Sequence, residues 1–251
     1  MSTQNSPTGV GMYTMALKAT GTPIQAAQRA RDAGLSFVAM FACWQEEDRH
    51  TPGNVGRLAD YGAAFREAGV EPWVWGYPWG TPERITQFVS TMREAAKLAG
   101  AAGVILDPEL GFKGLRGGHM RDLLEQTVDS LDESLGLGFT SYGMAGVHKD
   151  FPWMQAGGYG WGSPQFYSVS LADAMRGIRQ WRDLGWKHIV ASVPTFGANS
   201  GENLIAYSTA IAEHCDGLCF WQWKATDASE WRAIETIAKR YEIAAPERSV
   251  A

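Results

Sequence analysis

Two acids, Asp107 and Glu109, close the short apolar run Gly103–Leu106. Side chains alternate along a strand, so residues i and i+2 share a face. In a strand here, Val104, Leu106 and Pro108 face one side, and Ile105, Asp107 and Glu109 the other. Two carboxyls then stand a few ångströms apart at a strand end. Like charges that close push one pKa upward, and a carboxyl that keeps its proton near neutral pH can act as a general acid. Aromatic and amide residues mark other apolar runs in the same way. Trp75, Tyr77 and Trp79 alternate past one run, Trp221, Gln222 and Trp223 end another, and Gln165 and Tyr167 form an i, i+2 pair. Tyr13, Trp44 and Tyr142 follow three more. Flat indoles and phenols suit the apolar C–H faces of pyranose rings. The chain has 11 Trp in 251 residues, more than a core of this size needs, which points to extra indoles in a cleft.

Other chemistries find less support. The histidines (His50, His119, His148, His188 and His214) form no ligand motif, so no metal and no other cofactor is expected. Cys43 stands near a strand end, but no histidine motif accompanies it, and a nucleophilic role is not expected. Cys215 and Cys219 read as core thiols. No G-x-S-x-G elbow is present. The run Gly157–Gly162 lacks the Lys-Ser/Thr ending of a phosphate loop and reads as a mobile, aromatic-bearing loop.

The elements that must position these residues alternate strand with helix. The strands are expected at Val10–Met15, Phe37–Ala42, Pro72–Gly76, Gly103–Asp107, Gly138–Tyr142, Gln165–Val169, His188–Val193 and Gly217–Trp223. Amphipathic segments separate them; one starts at Thr22-Pro23, an N-cap followed by a proline suited to the first turn. Gly34, Gly69, Gly100 and Gly185 each follow such a segment, as C-cap glycines do. Eight strand–helix units in sequence imply parallel pairing through right-handed crossovers. The fold class is therefore α/β, a single (β/α)8 barrel with a parallel eight-stranded core, in which the site lies at the strand C-termini. The barrel is placed at residues 10–243, with an N-terminal tail over 1–9 and a C-terminal tail over 244–251.

Charged residues make up 20% and hydrophobic ones 45%, the balance of a globular domain with a large core. The formal net charge of -5 disfavours a nucleic-acid partner. No apolar run has the length a membrane span needs, so no membrane partner is expected. Met1–Thr8 lacks the pattern of a signal peptide. The expectation is synthesis in the cytoplasm, with release by lysis or carriage on a phage particle.

The motifs resemble two families of barrel glycosidases. Gly103-Val104-Ile105-Leu106-Asp107-Pro108-Glu109 resembles the strand-four signature of family 18 chitinases, which ends in D-x-E. Pro164-Gln165-Phe166-Tyr167 is similar to the strand-six Q-F-Y segment of plant-type members, and Gly217–Trp221 to their strand-eight tryptophan. Family 25 lysozymes, of the phage endolysin type, also carry D-x-E, with a W-Q-Y segment that Trp221-Gln222-Trp223 resembles. The chain departs from both patterns. Family 18 has an Asp where Ile105 stands, and family 25 opens with an Asp where Tyr13 or Met15 lies.

The resemblance implies chemistry on N-acetylated amino sugars, with peptidoglycan or a chitin-like polysaccharide as partner. Glu109 would be the acid/base, Asp107 would orient the substrate's 2-acetamido group, and Tyr167 would join the catalytic set. In family 18 the acetamido oxygen itself attacks the anomeric carbon. Glu46 and Asp227 are the possible partners for an ordinary two-carboxylate mechanism. The competing expectation, favoured by the departures at Ile105 and Tyr13, is a catalytically silent barrel that binds glycan or builds a particle.

Overall fold

The computed structural model describes residues 5–46, 49–109, 117–130, 134–148, 151–197 and 202–248. Residues 1–4 and 249–251 of the expected tails, and the side chain of His119, lie outside this description. The strands are β1 (Gly9–Thr14), β2 (Phe37–Gln45), β3 (His50–Pro52), β4 (Glu71–Tyr77), β5 (Gly103–Leu106), β6 (Gly136–Tyr142), β7 (Trp161–Gln165), β8 (Val190–Pro194) and β9 (Gly217–Trp221). The helices are α1 (Pro23–Asp32), α2 (Val55–Glu67), α3 (Pro82–Ala99), α4 (Gly117–Ser130), α5 (Trp153–Tyr159), α6 (Leu171–Asp183), α7 (Glu202–Ala212) and α8 (Ala228–Arg248).

Eight of the strands pair in parallel in the order β1-β9-β8-β7-β6-β5-β4-β2. Strand β1 also pairs with β2, Gly11 opposite Phe37 and Thr14 opposite Met40, which closes the sheet into a barrel. The (β/α)8 architecture is thus the observed one. The ninth strand, β3, was not expected. It folds back antiparallel on the end of β2, with Gln45 opposite His50.

Local chemistry starts and stops the elements. Thr22 and Gln25 form a reciprocal capping box at the start of α1, and Pro23 takes its first turn. Gly34, Gly69, Gly100 and Gly185 all adopt positive φ beyond their helices, the conformation glycine reaches at least cost.

Alternation along the strands makes two apolar layers. Val10, Met12, Val74, Val104, Leu106, Leu218 and Phe220 point outward to the helices. Tyr13, Phe37, Trp73, Trp75, Ile105, Trp161 and Cys219 point inward. Trp73 and Trp161 meet edge to face, centroids 5.4 Å apart, and fill the interior. Two glycines leave them room. A Cβ on Gly103 would stand 2.4 Å from the Trp73 ring, and one on Gly138 2.5 Å from that of Trp161.

Two expectations need correction. The sixth barrel strand is β7, Trp161–Gln165, upstream of the expected Gln165–Val169, and the expected glycine-rich loop is helix α5 running into that strand. Glycine and proline weaken strand propensity, but here packing overrides it. The Trp181 and Trp186 rings cover Gly162, where an added Cβ would stand 2.6 Å from Trp181. The surplus of indoles is also smaller than composition suggests. Trp153, Trp181, Trp186, Trp223 and Trp231 belong to the barrel–helix layer, and Trp73 and Trp161 to the barrel interior.

Candidate active site

Strand β5 ends at Leu106, and the Asp107 amide still donates to the Gly76 carbonyl of β4 at 2.9 Å. That bond holds the extended backbone one residue further, so the inward parity of Ile105 passes to Asp107 and Glu109. Both acids line a cleft of about 300 Å³ at the C-terminal mouth of the barrel. Its other walls are Tyr13, Met15, Trp44, Trp75, Tyr77, Thr140, Gln165, Tyr167 and Trp221.

Asp107 is buried and Glu109 half-buried. Burial, and next the charge of Glu109, raise the Asp107 carboxyl well above the usual range, while a hydrogen bond from Gln165 works against them. Gln165 Nε2 donates to Asp107 Oδ1 at 3.1 Å and to Thr140 Oγ1 at 3.2 Å, so both of its amide hydrogens are engaged. Thr140 passes its own hydrogen to the Ser163 carbonyl at 2.8 Å. Beneath this lies a layer of hydroxyls. Tyr13 donates to Ser163 Oγ at 3.2 Å, and Ser163 and Ser192 share a hydrogen bond of 2.8 Å. Burial pushes the phenols of Tyr13 and Tyr167 far up, so both remain protonated donors. The Tyr167 hydroxyl bonds with Ser192, and the residue as a whole is half-buried.

The aromatic walls come from four strands and one loop. Trp221 packs against Trp75 at 5.4 Å and 76°, and lies nearly parallel to Tyr167 at 6.1 Å and 24°. Trp44 stacks on Tyr77 at 4.5 Å and 10°. Trp44 owes its direction to an irregularity. On β2, Phe37, Ala39 and Phe41 face inward, which by simple alternation would turn Trp44 outward. The register against β4 shifts between Phe41 and Cys43, and this β-bulge re-aims the side chain into the mouth.

Four residues expected at the site lie outside its lining. Trp223 is in the outer layer against Phe65 and Trp231, because β9 ends at Trp221 and the chain turns into a 3-10 turn over Trp223–Ala225. Gln222 precedes that turn and lines no part of the cleft. Tyr142 ends β6, and Trp79 lies in the β4–α3 connection, where its amide donates to Gln45; neither reaches the lining. Thr140 was missed. The signal was available, since Gly138 faces inward and Thr140 is its i+2 neighbour. Of the two alternative carboxylates, Glu46 pairs with Arg49 at 2.9 Å, and Asp227 caps α8 by accepting from Ser229 and Glu230 amides. Neither lines the cleft. Cys43 is buried in the outer layer and does not line the cleft; burial pushes its thiol up to about 12. Among the described residues no group of three His, Cys, Asp or Glu is placed to hold a metal ion.

No protein-family profile matches the sequence, and no curated protein matches it. Solved structures do match. The chitinase-like agglutinin of Robinia pseudoacacia aligns with a TM-score of 0.69, over 92% of this chain and 98% of its own, at 11% identity. A class V chitinase mutant of Cycas revoluta in complex with (GlcNAc)3 gives 0.68, over 91% and 99%, at 12% identity. The Bacillus cereus spore cortex-lytic enzyme SleL gives 0.66, over 92% and 74%, at 10% identity. The fold shared with these structures is the (β/α)8 barrel. At these identities the likeness concerns the fold, and fold alone does not assign chemistry. The local arrangement must carry the functional argument.

Proposed function

We propose that the protein is a glycoside hydrolase acting on a polymer of N-acetylated amino sugars, with cell-wall peptidoglycan the foremost substrate. The observation that carries this reading is the pair Asp107–Glu109, aimed into a cleft walled by Trp44, Tyr77, Tyr167 and Trp221. Burial and the charge of Glu109 favour a proton on Asp107. Passed on through Glu109, that proton reaches the glycosidic oxygen as the bond from the anomeric carbon to that oxygen breaks, and Asp107 is left as the anion. The substrate's acetamido carbonyl oxygen attacks the same carbon and gives a cyclic oxazolinium ion. Asp107 orients the acetamido group, and the negative charge left on the pair faces this cation. Water, giving its proton to Glu109, then reopens the ring. Both acids rise from the end of one strand and so sit on one side of a bound sugar. Asp227 does not line the cleft, and Glu46 accepts from the Trp44 indole at 3.3 Å without lining it. This supports substrate assistance over two flanking carboxylates. Delivery by lysis or on a phage particle would fit a peptidoglycan substrate.

A second reading is a glycan-binding barrel without turnover. Ile105 is buried directly beneath the acid pair where family 18 carries a further acid, and the Robinia pseudoacacia relative is an agglutinin. A zymogram on peptidoglycan and on chitin separates the two. Clearing by the wild-type protein supports hydrolysis, and retention on either polymer without clearing supports the binding barrel.

A further inference from the structure

Behind the Trp44–Tyr77 wall, on the face of β2 that looks away from the cleft, lies a hydrogen-bonded cluster with no part in the proposed chemistry. Gln45 is fully buried. Its Nε2 donates to the Arg84 carbonyl at 2.8 Å and lies 2.9 Å from His50 Nδ1. Its Oε1 accepts from the Trp79 amide at 3.1 Å. One amide thus ties β2 to β3, to the β4–α3 connection and to the first turn of α3. Both of its hydrogens and its oxygen are used, which fixes the orientation of the amide. That fixes the imidazole in turn. A donor faces Nδ1, so Nδ1 accepts and the ring proton sits on Nε2. Nε2 then donates to Thr91 Oγ1 at 3.2 Å, and Thr91 gives its own hydrogen to the Gln87 carbonyl at 3.0 Å. The neutral ring satisfies every group in this chain.

The cluster bears on the cleft through the backbone. Gln45 follows Trp44 on β2, and Trp79 lies two residues past Tyr77, so the clamp joins the two segments that carry the stacked rings. We propose that Gln45, with His50, is a positioning residue that locks the Trp44–Tyr77 wall in place and thereby sets the affinity of the cleft for a sugar chain. The effect on affinity rests on the reading of the cleft as a sugar site; the effect on the wall does not. The groups facing His50 are the Cys43 thiol, at 3.6 Å from β2, Thr91 and the charge of Arg84 from α3. A proton on Nδ1 would confront the Gln45 amide hydrogens, and rotating that amide would confront the Trp79 N–H and the Arg84 carbonyl with like groups.

The test compares wild type, Gln45→Leu, Gln45→Glu and Thr91→Val. One readout is the indole N–H resonance of Trp44, and the other is binding of (GlcNAc)4. Gln45→Leu should shift or broaden the Trp44 resonance and weaken binding roughly three- to tenfold, the effect of losing a well-formed hydrogen bond. If an enzyme assay is in hand, KM should rise with kcat nearly unchanged, since the acid pair is untouched. Gln45→Glu keeps the acceptor for Trp79 but turns an oxygen toward the Arg84 carbonyl and His50 Nδ1, so it should not restore binding. Should Gln45→Leu fail to fold, Thr91→Val, which removes only the partner of Nε2, should shift the Trp44 resonance in the same sense by less. An unchanged Trp44 resonance in the folded variants would overturn the proposal. Absence of (GlcNAc)4 binding by wild type would count against the sugar site, while the Trp44 resonance would still decide the clamp.

Discussion

Asp107 sits where its charge is costly. Burial and the neighbouring Glu109 raise its carboxyl well above the usual range. An acid whose folded pKa is raised contributes stability below its unfolded pKa, and that contribution is lost as pH rises through the folded value. Asp107→Asn removes the liability, so the variant should be more stable than wild type at neutral pH by urea denaturation, and the gain should vanish in acid. The same variant should slow hydrolysis by about 10²-fold or more if Asp107 orients the acetamido group. A thiazoline mimic of the cyclised intermediate should inhibit wild type. Lower stability together with full activity would show that both halves of the account are wrong. Trp221 offers a second residue-level test. It is half-buried against Tyr167, and Trp221→Ala should weaken (GlcNAc)4 binding about tenfold, in line with the worth of an aromatic contact, as measured by calorimetry.

Sequence periodicity shows clearly at the level of elements where strands are plainly apolar, and fails where packing overrides propensity. Strand β5 and the inward parity of Asp107 follow from alternation alone. Strand β7 does not, because Gly162 and Pro164 look like breakers until the Trp181 and Trp186 rings are seen to need the space. Trp44 reaches the cleft through a bulge, and no simple periodicity reports a bulge. Trp223 was misassigned because the strand ends at Trp221. The close-packed glycines predict strong, local sensitivity. Gly103→Ala would place a Cβ 2.3 Å from the Gly136 carbonyl as well as against Trp73. The expected loss is about 2 kcal/mol or more in urea unfolding, the range for overpacking. A change within about 0.5 kcal/mol would mean that the barrel interior yields more easily than its contacts imply. The β2–β3 hairpin carries its own pH dependence. Burial, and next the charge of Arg84, lower the His50 pKa. A base with a depressed folded pKa supports the fold above its unfolded value, and that support is lost as pH falls through the folded one. The thermal midpoint should therefore drop on acidification below the ordinary imidazole range, and drop less in His50→Asn.

On the scale of the whole molecule, closure of the barrel is what converts strand ends into a site. The pairing of β1 with both β2 and β9 brings Tyr13, Trp44 and Trp221 to one mouth, although they are far apart in sequence. The interior below that mouth is filled by Trp73 and Trp161, which meet edge to face. This division explains why composition overstated the number of indoles available to a ligand. In the proposed function this cleft cuts a glycan with Glu109 as acid/base. The most direct test is turnover of a soluble amino-sugar oligomer, such as (GlcNAc)4 or a peptidoglycan fragment, by wild type and by Glu109→Gln. Binding of the same oligomer should be measured on both. Wild type should cleave the oligomer, the variant should lose roughly 10²–10⁴-fold in rate, and the two should bind it nearly equally. Cleavage by Glu109→Gln at the wild-type rate, or tight binding by wild type with no cleavage at all, would contradict the proposed function.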